Sequence, residues 1–264
     1  MEHNHDHEEG FLPESEIEKA FKGRLTAIGT TKKYSPQEWF KANNDHKLTI
    51  GHKERIGTSN FSCDKLTDEW FKWFLTTPVS ENAMTNPTNA YGGRNAALMD
   101  KEGALVYFAA GSPFQEPFDF KRIVISKRAP LLVPAYNLVA SVQEYPFVVS
   151  SAKDGTKELT GIVMKDLDGI LGETVEASFD GQPFYGCAVV RKDLLRIANI
   201  PENNVLGIPQ DRLQESGSTL DCVHGGLWML ISEKALTPGD HLLQFKVHSL
   251  NYQIQAKFLI KVLF

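Results

Sequence analysis

A chain of 264 residues, 42% hydrophobic and 23% charged, has the makeup of a globular protein with a sizeable core. Its formal net charge of -5, with no basic block, argues against nucleic acid as a partner, and no run reaches the roughly 18 apolar residues of a membrane span. Three cysteines, Cys63, Cys187 and Cys222, are too few and too scattered for a disulfide scaffold or a zinc site.

The charge is unevenly placed. Seven acids stand within residues 1–18 without a Lys or Arg, which leaves 28 basic against 26 acidic groups for the rest. Residues 1–13 read as a disordered acidic, His-rich tail, too poor in aliphatic side chains to bury itself. This start does not read as a signal peptide, so the expectation is a cytoplasmic protein, with any export by a non-classical route. His3, His5 and His7 alternate with polar and acidic residues and are candidates for adventitious Cu, Ni or Zn binding. The plainer reading of that tail is a solvated segment, and no cofactor is expected.

Residues 14–65 read as a helical N-terminal extension. Ile17, Phe21, Leu25 and Ile28 have helical spacing, with Ser15 placed to cap and Gly29 to stop the helix. Ser35-Pro36-Gln37-Glu38 is a second helix start, with Ser at the cap and Pro in the first turn. Thr67 is placed to cap a third helix, on which Trp70, Trp73 and Phe74 share one face. A helix docked on a core is the expectation; a sugar-stacking platform would need exposed rings. Pro78, Pro87, Gly92 and Gly93 mark residues 76–93 as a long irregular loop.

The period then changes to that of strands. Candidates are Ala104–Ala110, Arg122–Ser126, Leu131–Val133, Leu138–Val142, Phe147–Ser150, Thr174–Phe179, Phe184–Val190, Leu227–Ile231, Leu242–His248 and Tyr252–Val262. Asp180-Gly181 is a hairpin signal after a cleanly alternating strand, and Thr237-Pro238-Gly239-Asp240 sets a turn before a long one. Leu159, Ile162, Val163, Leu167, Ile170 and Leu171 are spaced as a helix that Gly172 would end, and residues 191–199 suggest a shorter one. Many strands with few helices predict a mostly β fold: a β-sandwich, Ig-like or jelly-roll-like, over residues 66–264, with N-terminal helices and one or two inserted helices.

The order of several motifs resembles a family of uncharacterised, often secreted, bacterial and fungal proteins. That family opens with a W-x-x-W helix, an Asn-Pro loop and a V-W-F-L-A-G strand, similar here to Trp70 with Trp73, Asn86-Pro87 and Leu105 to Gly111. An Arg-bearing strand and an aromatic-Pro-x-x-Asn segment follow, similar to Arg122 and to Leu132 through Asn137. Phe179-Asp180-Gly181, Pro201 through Asn204, Gly226-Leu227-Trp228 and Leu236 through His241 resemble its later motifs. The resemblance spans roughly residues 66–264 and implies fold rather than activity, since no reaction is established for the family. The cysteines that family members carry near the Asn-Pro loop and in the Arg strand are replaced here by Gly93-Arg94-Asn95 and Arg122-Ile123-Val124. The resemblance therefore implies a disulfide lost in a reducing compartment.

Asn86, Arg94, Arg122, Tyr136 and Asn137 form the candidate ligand-binding set within this region. Arg and Asn beside apolar strands can orient a carboxylate or a sugar hydroxyl, or else pin long loops through buried hydrogen bonds. Asp221, Cys222 and His224 are sequence neighbours, but Cys–His–Asp chemistry needs a convergence that residues on one loop seldom supply. His241 is expected to be structural, bonding across its turn. No P-loop, G-x-G-x-x-G, H-E-x-x-H or G-x-S-x-G occurs, which removes the common nucleotide, zinc-protease and α/β-hydrolase classes. The leading expectation is a non-catalytic module binding a carbohydrate or protein partner. The alternatives are a hydrolase acting on sugar or ester bonds, with Asn86, Arg122 and Tyr136 near its site, and an effector-like protein acting on another protein.

Overall fold

Two mixed β-sheets with few helices make up the described chain. The computed structural model describes residues 63–82, 97–99, 105–110, 121–150, 155–171, 175–183, 187–191, 193–215, 217–231, 233–248 and 253–264. The acidic tail, both helices expected between residues 14 and 44, and His3, His5, His7, Asn86 and Arg94 lie outside these residues. In chain order the elements are α1 (Cys63–Thr76), β1 (Ala97–Met99), β2 (Leu105–Phe108), β3 (Lys121–Ile125), β4 (Leu131–Ser141), α2 (Pro146–Ser150) and α3 (Gly155–Leu171). There follow β5 (Val175–Phe179), β6 (Gln182–Pro183), β7 (Cys187–Val190), β8 (Leu195–Ile197), α4 (Gln210–Glu215), β9 (Leu220–Ile231), β10 (Gly239–His248) and β11 (Gln253–Val262). The first sheet runs β1-β2-β4-β9-β7 with β8 also on β9; the second runs β3-β11-β10-β5-β6. Each holds one parallel pair, β2 with β4 and β3 with β11, and is otherwise antiparallel.

Alternation along β9 explains why two cores form. Val223, Leu227, Met229 and Ile231 enter one buried cluster, and Leu220, Cys222 and Trp228 enter another. Successive side chains of a strand point to opposite faces, so one strand feeds both. The first cluster draws on both sheets, with Ile123, Leu131, Ala177, Phe245, Phe258 and Ile260 among its members. The second lies on the other face of the first sheet, with α1.

A bulge in β4 shifts this alternation. Pairing with β9 slips between Pro134 and Tyr136. Leu131, Val133 and Ala135 face the first core before the slip, and Tyr136, Leu138 and Ala140 face it after. One extra residue thus changes the parity of the facing positions. The bulged backbone approaches β9 so closely that a Cβ at position 226 would lie 2.4 Å from the Tyr136 carbonyl oxygen, which leaves glycine as the residue that fits.

Helix α1 carries two neighbouring ridges, Leu66-Trp70-Phe74 and Thr67-Phe71-Leu75, all buried. Spacing of three and four residues makes one apolar stripe of them. Full burial contributes about 1.5–3 kcal/mol for a side chain such as Phe71 or Leu75. The Trp70 Nε1 donates to the Ala109 carbonyl at 2.9 Å, so its polar edge is satisfied inside the core. Trp70 and Phe74 are therefore docked rings, not a sugar platform. At the far end, Thr76 and Thr77 hydroxyls donate back to the Lys72 and Trp73 carbonyls, and the Asn82 amide donates to Phe74 O and Thr77 O. These bonds satisfy carbonyls that a helix end leaves open.

Several expectations shift. The helix begins at Cys63, so Thr67 packs inside it instead of capping it. Phe147–Ser150, expected as a strand, falls in α2, where Pro146 stands at the first helical position. The short helix expected over 191–199 is replaced by β8, whose register on Leu220–Cys222 overrides local propensity. The two strands expected between Leu131 and Val142 are one continuous β4. The helix ending before Gly172 and the closing hairpin stand as expected. So does the Asp180-Gly181 turn, with φ of 51° and 75° at its two central residues.

Candidate functional site

One polar cluster joins α1 to the first sheet. Asp68 is on α1, at the outer edge of the Thr67-Phe71-Leu75 ridge. His224 is on β9, on the face that also carries Cys222 and Trp228. Arg191 follows β7 and is drawn beside His224 because its backbone N–H donates to the His224 carbonyl at 2.8 Å. The His224 Nε2 stands 2.7 Å from Asp68 Oδ1, and the Arg191 guanidinium donates to Asp68 Oδ2. The Arg191 Nε also donates to the Asp193 carbonyl at 2.9 Å.

The electrostatics follow from this geometry. Burial alone would raise the Asp68 pKa. The hydrogen bond and charge of His224, with Arg191, outweigh that and hold it below the usual aspartate value. A carboxylate acceptor on Nε2 assigns a proton to that nitrogen. The imidazole is 0% exposed and lies against the Phe71 ring, with centroids 4.3 Å apart. A sealed ring bonded to a carboxylate that also holds a guanidinium is suited to fastening a helix to a sheet, not to proton exchange with a substrate.

The sequence neighbours of His224 do not join it. Asp221 faces away and takes Arg196 in a two-pronged pair, both bonds 2.8 Å. The Cys222 thiol is buried 3.6 Å from the Leu195 carbonyl, and burial with the charges of Glu144 and Asp221 pushes its pKa up to about 12. A thiol at that value supplies no thiolate near neutral pH. Glu144 lies in a reciprocal bond set with Ser141, whose N–H and hydroxyl both donate to Oε2, and burial raises its pKa.

The described members of the expected ligand-binding set, Arg122, Tyr136 and Asn137, fall in separate places. Tyr136 packs against the first core, whereas Asn137, opposite Gly226, shares the α1 face of the sheet with Val139 and His224. Arg122 is on β3 in the second sheet, opposite Leu259. No family model, curated protein or solved structure matches the chain. Among the described residues no group of three His, Cys, Asp or Glu is placed to hold a metal ion, and no helix is long and apolar enough to cross a membrane.

A second polar grouping went unseen in the sequence. On the face of the second sheet away from the first core, Ser178 of β5 and Gln244 of β10 are register partners, each 1% exposed. The Ser178 hydroxyl and both polar atoms of the Gln244 amide lack a hydrogen-bond partner among protein atoms. Lys257 of β11 is the other register partner of Gln244, and Glu176 and Lys246 form the next pair along. Alternation marks Leu242, Gln244 and Lys246 as one face, but nothing local marks Gln244 as buried. Elsewhere, Tyr145 just before α2 is 38% exposed and Phe147 within it 85% exposed.

Proposed function

We propose that the chain is a non-catalytic binding module, built as a β-sandwich of Ig-like or jelly-roll-like type, that takes a polar ligand of the carbohydrate class. The observation that carries this reading is the Ser178–Gln244 pair. A buried polar atom without a partner costs about 1–3 kcal/mol, and native proteins pair nearly all of theirs. A sugar's hydroxyls both donate and accept, so one ring can meet the amide N–H, the amide oxygen and the serine hydroxyl together once the buried face that holds them opens. The engaged state of Asp68, His224 and Cys222 also favours binding over catalysis. The family resemblance in motif order supports the same fold and adds no activity.

Binding to an immobilised panel of mono- and oligosaccharides tests the reading, comparing the native chain with Gln244→Leu. Replacing orphaned polar atoms by a similar apolar shape is neutral or stabilising. The variant should therefore keep or raise its melting temperature and lose saccharide binding. A panel that binds neither protein, or both equally, overturns the assignment. Turnover of glycoside or ester substrates by the native chain would replace it with the hydrolase reading. Phe147 and Tyr145 support a second reading, a protein-interaction or effector-like surface, since large exposed aromatic side chains are favoured at interfaces.

A further inference from the structure

His241 stands where two turns of the second sheet meet. The ring Nδ1 is 2.7 Å from Asp180 Oδ2, in the turn between β5 and β6. The ring Nε2 is 2.7 Å from the Thr237 carbonyl oxygen, in the turn before β10. Asp180 uses its other oxygen, Oδ1, to accept the Leu242 N–H at 2.9 Å, and its own N–H donates to the Leu242 carbonyl at 2.8 Å. The imidazole is stacked on Phe179, with centroids 5.2 Å apart and planes 17° from parallel.

Nδ1 thus faces a carboxylate oxygen, and Nε2 faces the Thr237 carbonyl oxygen, with the Thr237 hydroxyl farther from Nε2 at 3.5 Å. A neutral imidazole donates from one nitrogen and turns a lone pair on the other. If Nε2 keeps the proton, that lone pair points at a carboxylate; if Nδ1 keeps it, the lone pair points at a carbonyl. Only the imidazolium donates to both. The adjacent carboxylate favours the charged ring, while burial opposes it. Among the described residues Asp180 is a titratable group in direct contact with the ring; Asp240 is its chain neighbour and lies opposite Lys261 of β11.

We infer that His241 is carried as an imidazolium and acts as a charge-dependent latch between the Asp180-Gly181 turn and the Pro238-Gly239 turn. Loss of the proton breaks one arm of the latch and frees the β5–β6 turn, with edge strand β6, from the start of β10. The sign is that of a group favoured in its charged, cationic form by folding: the stabilisation is present at acidic pH and fades as pH rises through the folded-state titration.

Histidine ring nitrogen NMR on the full chain reads the protonation directly. At pH 7 both His241 nitrogens should be protonated. Protection of the Leu242 amide against exchange, corrected for the intrinsic rate, should fall about tenfold between acidic pH and the deprotonated state, the worth of one charge-assisted hydrogen bond. Asp180→Asn keeps a residue that tolerates the turn and an oxygen for the Leu242 N–H, and it removes the charge. In that variant the ring should be neutral at pH 7 and the Leu242 protection independent of pH. A neutral His241 at pH 7 in the native chain overturns the latch. An imidazolium that persists in Asp180→Asn, or Leu242 protection that does not respond to pH in the native chain, overturns it equally.

Discussion

Two histidines in this molecule each meet an aspartate oxygen at 2.7 Å, and the pairs differ in everything around that distance. His224 reaches Asp68 across 156 positions, under Phe71, with the Arg191 guanidinium on the other carboxylate oxygen. His241 reaches Asp180 across 61 positions, with a backbone carbonyl at its second nitrogen and Phe179 beneath. In the first pair a permanent cation, the Arg191 guanidinium, shares the carboxylate with the ring. In the second the other carboxylate oxygen accepts the Leu242 N–H, and on the inference above the ring carries the charge. The same two residue types therefore make a fixed staple in one place and a titratable latch in the other.

The largest effect on this contrast comes from the floor of the staple. Trp70 is buried against Phe71, Phe74 and Trp228 and bonded to Ala109. Trp70→Ala should cost about 3–5 kcal/mol in denaturant unfolding. It should leave the pH response of the Leu242 amide in place, because the latch is on the other sheet. Loss of both together would show that the two clamps are one cooperative unit.

Next comes the staple itself. Asp68→Asn keeps an acceptor for His224 and removes the charge facing Arg191, with an expected loss of about 1.5–3 kcal/mol at neutral pH. The folded-state pKa of Asp68 is depressed, so its stabilisation is present above the unfolded value of about 3.9 and is lost as pH falls through the folded one. The gap between native chain and variant should be flat from pH 5 to 8 and close in acid. A gap that instead closes on the alkaline side would assign the titration to the wrong group. Gly226→Ala, one residue pair along β9 from His224, should cost about 1–3 kcal/mol, since the Tyr136 and Asn137 backbone must give way. A variant as stable as the native chain would remove the bulge as a constraint.

The contrast also marks what a sequence makes legible. His241 follows a Pro-Gly turn, and Asp180 opens a hairpin turn, so local chemistry announced both turns and a structural histidine. Nothing within reach of His224 pointed to Asp68, because that pairing exists only once α1 lies on β9. Strands with clean alternation, such as β5 and β11, were readable for the same local reason. The continuous β4 was not, because its bulge at Pro134–Tyr136 breaks the period, and β8 was not, because its partner strand decides it. Of the expected site residues, Tyr136 and Asn137 are adjacent in sequence and on opposite faces of one strand. The Ser178–Gln244 pair escaped notice because alternation predicts which face a polar residue takes but not whether that face is covered.

The smallest predicted effect has the opposite sign to the staple. Glu144, like Asp68, is a partly buried carboxyl with hydrogen-bond donors, yet burial raises its pKa because Ser141 supplies neutral donors and no cation. A carboxyl raised in the folded state carries no penalty below the unfolded value of about 4.3, and the penalty grows as pH rises through the folded one. Glu144→Gln mimics the protonated form and still accepts from Ser141. It should match the native chain at pH 4 and exceed its stability at pH 7 by less than about 1 kcal/mol, the partial exposure of the group limiting the gain. Measured together by chemical unfolding across pH, Asp68→Asn and Glu144→Gln should diverge in opposite directions from a common acid value. If Glu144→Gln is instead destabilised at pH 7, the Ser141 bonds need the full carboxylate charge, and burial is not what governs that group.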